Sequence, residues 1–109
     1  ARGAGLTAIL DMGKIPLLAG VQQLAESGFV TGASVRNWEG YGHNVVLDKG
    51  ISTVHKALLT DPQTSGGLLV SCAPSAADEV LAIFAAEGFA EASVIGEIAK
   101  GQARVEVTG

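Results

Sequence analysis

Short apolar stretches alternate along the chain with glycines, prolines and polar residues, a pattern typical of a domain that contains both strands and helices. Residues 6–10 predict a short strand that ends at Asp11 and Gly13. Pro16 suits the first turn of a helix, and Gly28 suits the position just after its end. The apolar positions of this helix recur at helical spacing: Leu17, Val21, Leu24 and Ala25.

The middle of the chain is less regular. Residues 29–35 are mostly apolar and predict either a strand or a loop. Residues 36–43 are polar, aromatic and interrupted by glycines, which predicts a loop. Ser52 is a suitable N-cap for a short helix that follows it. One face of that helix is apolar: Val54, Ala57 and Leu58.

Further along, a pair of glycines precedes the continuous apolar run of residues 68–70. This run predicts a strand covered on both faces, because its residues do not alternate with polar ones. A helix is predicted to begin at Ser75, where Asp78 completes a capping-box pattern, and to end at Gly88. Its apolar stripe consists of Ala77, Val80, Leu81 and Phe84.

Two final strands are predicted over residues 94–98 and 103–107, and the second alternates apolar with charged positions. We therefore predict that residues 1–109 form a single α+β domain in which helices pack on a mixed sheet. Hydrophobic residues make up 48% of the chain, which excludes an intrinsically disordered protein. Aromatic residues make up only 5%, so the core is expected to be aliphatic.

The charge and the cysteine content of the chain exclude several kinds of ligand and covalent link. Seven basic and eleven acidic residues give a net charge of −4, which argues against a nucleic-acid-binding module. Cys72 is the only cysteine, so an internal disulfide or a cysteine-based zinc site is excluded, and a reducing, cytoplasmic setting fits best. We expect its thiol to be buried and inert. No apolar run approaches the roughly 18 residues of a membrane span.

The richest group of chemical side chains lies in residues 61–67, between a predicted helix and a predicted strand. Its members are Asp61, Pro62, Gln63, Thr64, Ser65, Gly66 and Gly67. Glycines bring backbone N–H groups close to an anion, and Thr64 and Ser65 add hydroxyl donors. We expect Gly66 or Gly67 to adopt a conformation that a β-branched residue cannot. The same residues also suit an ordinary turn that leads into a strand.

A second polar group consists of Arg36, Asn37, Tyr41 and His43. It suits the lining of a polar pocket, and it equally suits a solvated loop in which Trp38 and Tyr41 are packed as anchors. His43 is a possible general base, although the sequence provides no evident partner for it.

Residues 59–70, with the string Asp-Pro-Gln-Thr-Ser-Gly-Gly at their centre, resemble the hallmark of the selenophosphate synthetase (selenide, water dikinase) family. The resemblance covers nearly the whole chain, since further matching motifs follow in the expected order. They lie at residues 5–8, 15–16, 36–37, 41–43 and 95–97. Thr60 stands where many members carry Cys. The resemblance implies the C-terminal domain of such an enzyme, in the aminoimidazole ribonucleotide synthetase superfamily, with a partly ferredoxin-like sheet.

The resemblance also implies an activity for the intact enzyme, which makes selenophosphate from selenide, ATP and water and releases AMP and phosphate. That enzyme uses Mg²⁺, works as a homodimer, and carries its catalytic Cys or selenocysteine, its essential Lys and most metal-binding aspartates near its N-terminus. We therefore expect the N-terminal ATP-binding domain to be absent from this chain, which begins at Ala1 without a Met. Catalytic residues, a metal site and bound cofactors are not expected in this fragment alone.

The residues that match the family motifs are expected to face the active-site cleft. They are Asp61, Gln63, Thr64, Ser65, Gly66, Gly67, Asn37, Tyr41 and His43. Two other functions remain open at this point. One is another ATP-using enzyme of the same superfamily, and the other is a binding or assembly domain without catalysis.

Overall fold

A four-stranded mixed sheet forms the centre of the computed structural model, which describes residues 1–109. Its strands are β1 (Thr7–Asp11), β2 (Val45–Leu47), β3 (Gly96–Ala99) and β4 (Arg104–Thr108). They lie in the order β2-β4-β1-β3, with β4 parallel to β1 and β2, and β3 antiparallel to β1. The predicted α+β domain with a mixed sheet is therefore confirmed.

Four helices accompany the sheet: α1 (Val21–Glu26), α2 (Gly32–Tyr41), α3 (Thr53–Leu59) and α4 (Ala77–Ala86). The predicted cap of α3 is confirmed, because the Ser52 hydroxyl accepts from the backbone N–H of His55 at 3.1 Å. The His55 ring completes the cap by accepting from the Ser52 N–H at 3.4 Å. Gly28 and Gly88, both with φ near 90°, follow α1 and α4 as predicted.

Strand register separates the two faces of the sheet. One face is apolar and consists of Ala8, Leu10, Val45, Leu47, Gly96, Ile98, Val105 and Val107. The opposite face carries Thr7, Glu97, Arg104 and Glu106, with Arg104 Nη2 lying 2.6 Å from the Glu106 carboxylate. The alternation predicted for the last strand is confirmed, since Val107 is only 3% exposed.

Two predictions for the first half of the chain are wrong. The first helix begins at Val21, because Gly20 adopts a left-handed conformation (φ 81°) that a helix running on from Pro16 could not contain. Residues 32–41, predicted as a strand or loop up to residue 35 and as a loop from residue 36, form helix α2 with Thr31 as its N-cap, and Gly42–Asn44 follows as a 3₁₀ turn. The N-cap and the burial of this helix against α3 stabilise it, although its glycines and polar residues disfavour a helix.

Two predictions for the second half also fail. Residues 68–70 form no strand and are exposed, with Leu68 at 83%. Ser75 forms no capping box, because Pro74–Ala76 is a 3₁₀ turn and α4 begins after Ala76 without a side-chain cap. The predicted apolar stripe of α4 is nevertheless its less exposed face.

The core of the chain is small. Seven of the 109 residues are buried, and the apolar ones among them are Met12, Ala25 and Val107, so the core contains no aromatic residue, as the composition predicts, but it is much smaller than the aliphatic core expected. Many large apolar side chains, including Leu18, Phe29 and Leu69, are more than two-thirds exposed. Much apolar surface is thus left uncovered by the chain itself. None of the helices has the length and apolar character required to cross a membrane.

Candidate functional site

A group of buried hydroxyls joins helix α2 to the end of helix α3, next to the polar residues predicted from the sequence. The Ser34 hydroxyl donates to the backbone oxygen of Ala57 at 3.0 Å and lies in close contact with the Thr60 hydroxyl. Thr60 in turn donates to the backbone oxygen of Lys56 at 2.8 Å. Ser34 and Thr60 are each only 5% exposed, so these bonds fix where α3 ends relative to α2.

Two of the sequence-predicted residues, Asn37 and Asp61, lie next to Thr60 at this junction. The side-chain amide of Asn37 donates to the Thr60 carbonyl at 2.8 Å. The Thr31 hydroxyl caps α2 by accepting from the Ser34 N–H at 3.3 Å, and it donates to the Asp61 carboxylate at 3.1 Å. Asn37 and Asp61, which are 24 positions apart in sequence, are therefore brought to one place.

Residues 61–67 continue from this junction as an exposed segment without regular structure, which we call the glycine segment. Thr64 and Ser65 form a turn that closes toward Gly66; otherwise the backbone N–H groups beyond Asp61 donate to no other backbone group, and the Thr64 and Ser65 hydroxyls have no hydrogen-bond partner. These donors are free to bind an external group, as an anion-binding segment requires. A turn that merely enters a strand is not observed, because no strand follows.

The expectation of a special glycine conformation in this segment is wrong. Neither Gly66 nor Gly67 has a positive φ. A methyl group added at Gly67 would meet nothing within 4 Å, and one added at Gly66 would approach only the Gln63 side chain, with its Oε1 at 3.1 Å and its Cβ at 3.8 Å. The glycines leave the backbone uncovered, but its conformation does not require them.

Tyr41 and His43 lie at the far end of α2. Tyr41 is one turn beyond Asn37 on the same side of the helix and is 44% exposed. His43 lies in the 3₁₀ turn Gly42–Asn44, where its Nε2 is 2.8 Å from the side-chain amide of Asn44. Neither side chain makes a hydrogen bond to the glycine segment, and Arg36 is exposed without an ion-pair partner.

Trp38 is packed at this end of α2, as expected of an anchor. Gly42 is buried against its ring, and Lys56 Nζ lies 5.0 Å from the ring centroid. The alternative interpretation, a solvated loop anchored by Trp38 and Tyr41, is therefore wrong about the loop and correct about the packing of Trp38. Tyr41, the second expected anchor, is instead substantially exposed.

Metal and thiol chemistry have little support within this chain. No three His, Cys, Asp or Glu side chains lie close enough to hold a metal ion together, and Asp61 is the only carboxylate of the glycine segment. The Cys72 thiol is exposed, so the expectation of a buried thiol is wrong. The reason is the absence of a strand at residues 68–70, which would have carried Cys72 toward the sheet.

Sequence reasoning missed the residues that assemble the site: Thr31, Ser34 and Thr60. Thr31 and Ser34 show the spacing of an N-cap and its third helical residue, a signal that was available but was outweighed by the glycines that follow. In the sequence, Thr60 is distinguished only as the residue that stands where many members of the family carry Cys. Its position between Asn37 and Asp61 depends on tertiary packing and has no signature in the sequence.

Comparisons with known proteins identify the family. The sequence model of the family described as AIR synthase related protein, C-terminal domain, matches residues 1–108. The chain is 59% identical over 108 residues to a selenide, water dikinase of Burkholderia pseudomallei (strain K96243). It is 56% identical over 107 residues to that of Pseudomonas straminea, and 44% identical over 107 residues to that of Rhizobium meliloti (strain 1021).

These alignments cover 98 to 99% of this chain and 30 to 31% of each relative, so the chain spans about a third of the length of the curated relatives it matches. The matched region is the C-terminal part of those proteins. The chain belongs to the family of AIR synthase related C-terminal domains, which confirms the resemblance seen in its motifs.

Proposed function

We propose that this member of the AIR synthase related C-terminal domain family is part of an enzyme with selenide, water dikinase activity. Such an enzyme would make selenophosphate from selenide, ATP and water, with release of AMP and phosphate. The observation that carries the proposal is the 59% identity over 99% of the chain to a protein of that name. Each relative reported above has the same name, which favours this activity over others of the superfamily.

Within that reaction, the glycine segment would bind phosphate oxygens. The N–H groups of Ser65 and Gly67, on either side of Gly66, provide adjacent donors, and the free hydroxyls of Thr64 and Ser65 extend the set. The hydroxyl junction at Thr60 holds one end of the segment in place, so its donors are partly oriented before a ligand binds. This chain would thus act by binding and orientation.

Mg²⁺ would be held mainly by residues outside this chain. Mg²⁺ is typically bound by one or two carboxylates together with substrate phosphates, and the glycine segment offers only Asp61, one oxygen of which already accepts from Thr31. The nucleophile and the essential Lys would lie on an N-terminal ATP-binding domain, and the enzyme would be a cytoplasmic homodimer.

The test is an assay of AMP formation by the full-length polypeptide that contains residues 1–109, with ATP, Mg²⁺ and selenide. We expect AMP formation that depends on selenide, and no AMP above background from residues 1–109 alone. AMP formation that does not require selenide would contradict the proposed substrate. Sustained turnover by the 109-residue chain would contradict the placement of the chemistry on the other domain.

A further inference from the structure

Three residues along one side of α2 bond to the two residues that join α3 to the glycine segment. Thr31, which caps α2, is followed at intervals of three positions by Ser34 and Asn37, so the three lie on neighbouring turns. Thr31 bonds to the Asp61 side chain, whereas Ser34 and Asn37 bond to Thr60. A single helix therefore holds the start of the glycine segment.

The backbone of Asp61 has little freedom. The peptide group that precedes it is hydrogen-bonded at both ends, because Asn37 donates to the Thr60 carbonyl at 2.8 Å and the Asp61 N–H donates to the Leu58 carbonyl at 3.3 Å. Pro62 follows, and the residue before a proline is disfavoured from helical backbone conformations. The side chain is thus the part of Asp61 that is left to rotate.

The hydroxyl of Thr31 restrains that rotation. It donates to Asp61 Oδ1 at 3.1 Å, and its oxygen accepts from the Ser34 N–H at 3.3 Å, so the cap of α2 orients the hydroxyl. The second carboxylate oxygen, Oδ2, has no hydrogen bond and no ion pair within the chain. Asp61 therefore has one oxygen that is held and one that is free to accept from an external donor.

Stability does not account for this arrangement. Thr31 and Asp61 are both exposed, and a hydrogen bond between exposed groups contributes little because water competes for the same donor and acceptor. The exposed side chain of Asp48, by comparison, accepts only from the neighbouring Lys49 N–H. Restraint of an exposed acid by residues remote in sequence favours a role in which its orientation matters for function.

We propose that Thr31 is a positioning residue that holds the Asp61 carboxylate in a fixed orientation for the proposed phosphate chemistry. Asp61 adjoins the donors of the glycine segment in sequence, so its free oxygen is placed to accept a hydrogen bond from a water molecule beside a bound phosphate. This inference rests on the proposed function, because it gives the Thr31–Asp61 pair an orienting role in that reaction.

The first test exchanges one good N-cap for another at position 31 of the full-length polypeptide. Thr31→Asp retains an acceptor for the Ser34 N–H but has no donor for Asp61, whereas Thr31→Ser retains both. We expect Thr31→Asp to lower kcat for selenide-dependent AMP formation roughly 10- to 100-fold, with the KM for ATP and the melting temperature little changed. Thr31→Ser should recover most of the turnover. Ser52→Asp, at the cap of α3, controls for the added charge and should leave kcat unchanged.

A double-mutant cycle tests whether Thr31 acts through Asp61. In the background of Asp61→Ala, Thr31→Asp should have no further effect on kcat, because the group that Thr31 holds is absent. A further fall of the same size would overturn the inference. So would a normal kcat for Thr31→Asp, or equal losses in Thr31→Asp and Thr31→Ser.

A second measurement does not require turnover. The three-bond couplings of the Asp61 side chain, measured by NMR on the full-length polypeptide, should indicate a single rotamer in the wild type and in Thr31→Ser. Thr31→Asp should lose this preference and show averaged couplings. Averaged couplings in the wild type would contradict the inference whatever the activity. A single Asp61 rotamer in a wild type without selenide-dependent AMP formation would instead contradict the proposed function, while the orientation of Asp61 by Thr31 would stand.

Discussion

The α2–α3 junction and residues 61–72 meet at Thr60, but they are held in opposite ways. At the junction, Ser34 and Thr60 are buried and every hydroxyl has a hydrogen-bond partner. Beyond Asp61, the chain runs exposed to Cys72 without a backbone hydrogen bond. Both regions contain Ser, Thr and apolar residues, so composition does not explain the difference.

The difference lies in whether a second element covers the region. Ser34 of α2 and Thr60 at the end of α3 face each other between the two helices. The low dielectric of this buried site strengthens their hydrogen bonds. Of residues 61–72, only Leu68 and Val70 line a hollow with α4, and the small core of the chain provides no second layer over this region. Substitutions in the paired regions should therefore affect stability, whereas those in residues 61–72 should affect function.

Gly96→Val in β3 should have the largest effect on stability. A Cβ at this position would lie 3.0 Å from the backbone atoms Ile9 C and Leu10 Cα of β1, which cannot move without breaking the strand pair. We expect a loss of about 3 kcal/mol or more in the free energy of unfolding, measured by denaturant titration. Glu97→Val, one residue on and exposed, should change it by less than about 0.5 kcal/mol. Equal losses would contradict the clash.

Gly42→Ala should destabilise the end of α2 by about 1–3 kcal/mol. The added methyl would lie 2.7 Å from two ring carbons of Trp38, and Gly42 is buried. Gly40→Ala is the matched control, because a methyl there meets nothing within 4 Å and lies inside the helix. It should stabilise the protein by about 0.5–1 kcal/mol. If both variants had the same melting temperature, Trp38 would not be packed as described.

Ser34→Ala should cost about 1–2 kcal/mol, since it removes a buried hydroxyl that bonds to the Ala57 carbonyl and contacts Thr60. Ser27→Ala provides the comparison, because Ser27 makes the same kind of bond, to the Gln23 carbonyl at 2.8 Å, but is exposed. Ser27→Ala should lower the free energy of unfolding by less than about 0.5 kcal/mol. Thermal unfolding of the two variants measures how much burial strengthens the bond. A larger loss of stability for Ser27→Ala than for Ser34→Ala would contradict this effect of burial.

Gly67→Ala should change stability by less than about 0.5 kcal/mol, because the methyl meets nothing and the backbone is not left-handed. Gly88→Ala, at φ 90°, should cost about 1–2 kcal/mol. Circular dichroism melts of the two variants make the comparison. A large loss at Gly67 would mean that its conformation in solution differs from the one described.

Thr64→Ala should leave the melting temperature unchanged, because Thr64 is exposed and its hydroxyl has no partner. Under the proposed function, turnover of the full-length enzyme should fall roughly 10- to 1000-fold, the range for one hydrogen bond made in the transition state. Thr53→Ala, on the exposed start of α3, should alter neither quantity. A lower melting temperature with normal turnover would identify the glycine segment as a structural turn.

Local signals gave accurate predictions where they acted over a few residues. The Ser52 cap, the stop at Gly88 and the alternation of β4 were all predicted, because a cap, a left-handed turn and a two-residue period need only near neighbours. Among the candidate site residues, Asp61 and Asn37 belong to two separate polar groups of the sequence, and only the family motifs predict that both face one cleft. The bonds that bring them together run through Thr31 and Thr60, which were not predicted as site residues.

The sequence by itself determined the fold class, the N-cap of α3 and the family motif in residues 61–67, since these depend on residue order alone. The tertiary structure decided that residues 32–41 are a helix, because burial of Ser34 against α3 outweighs three glycines in and beside it. It also decided that residues 68–70 are not paired within this chain. A strand requires a neighbour on its edge and cover on its faces, and no local pattern can provide either.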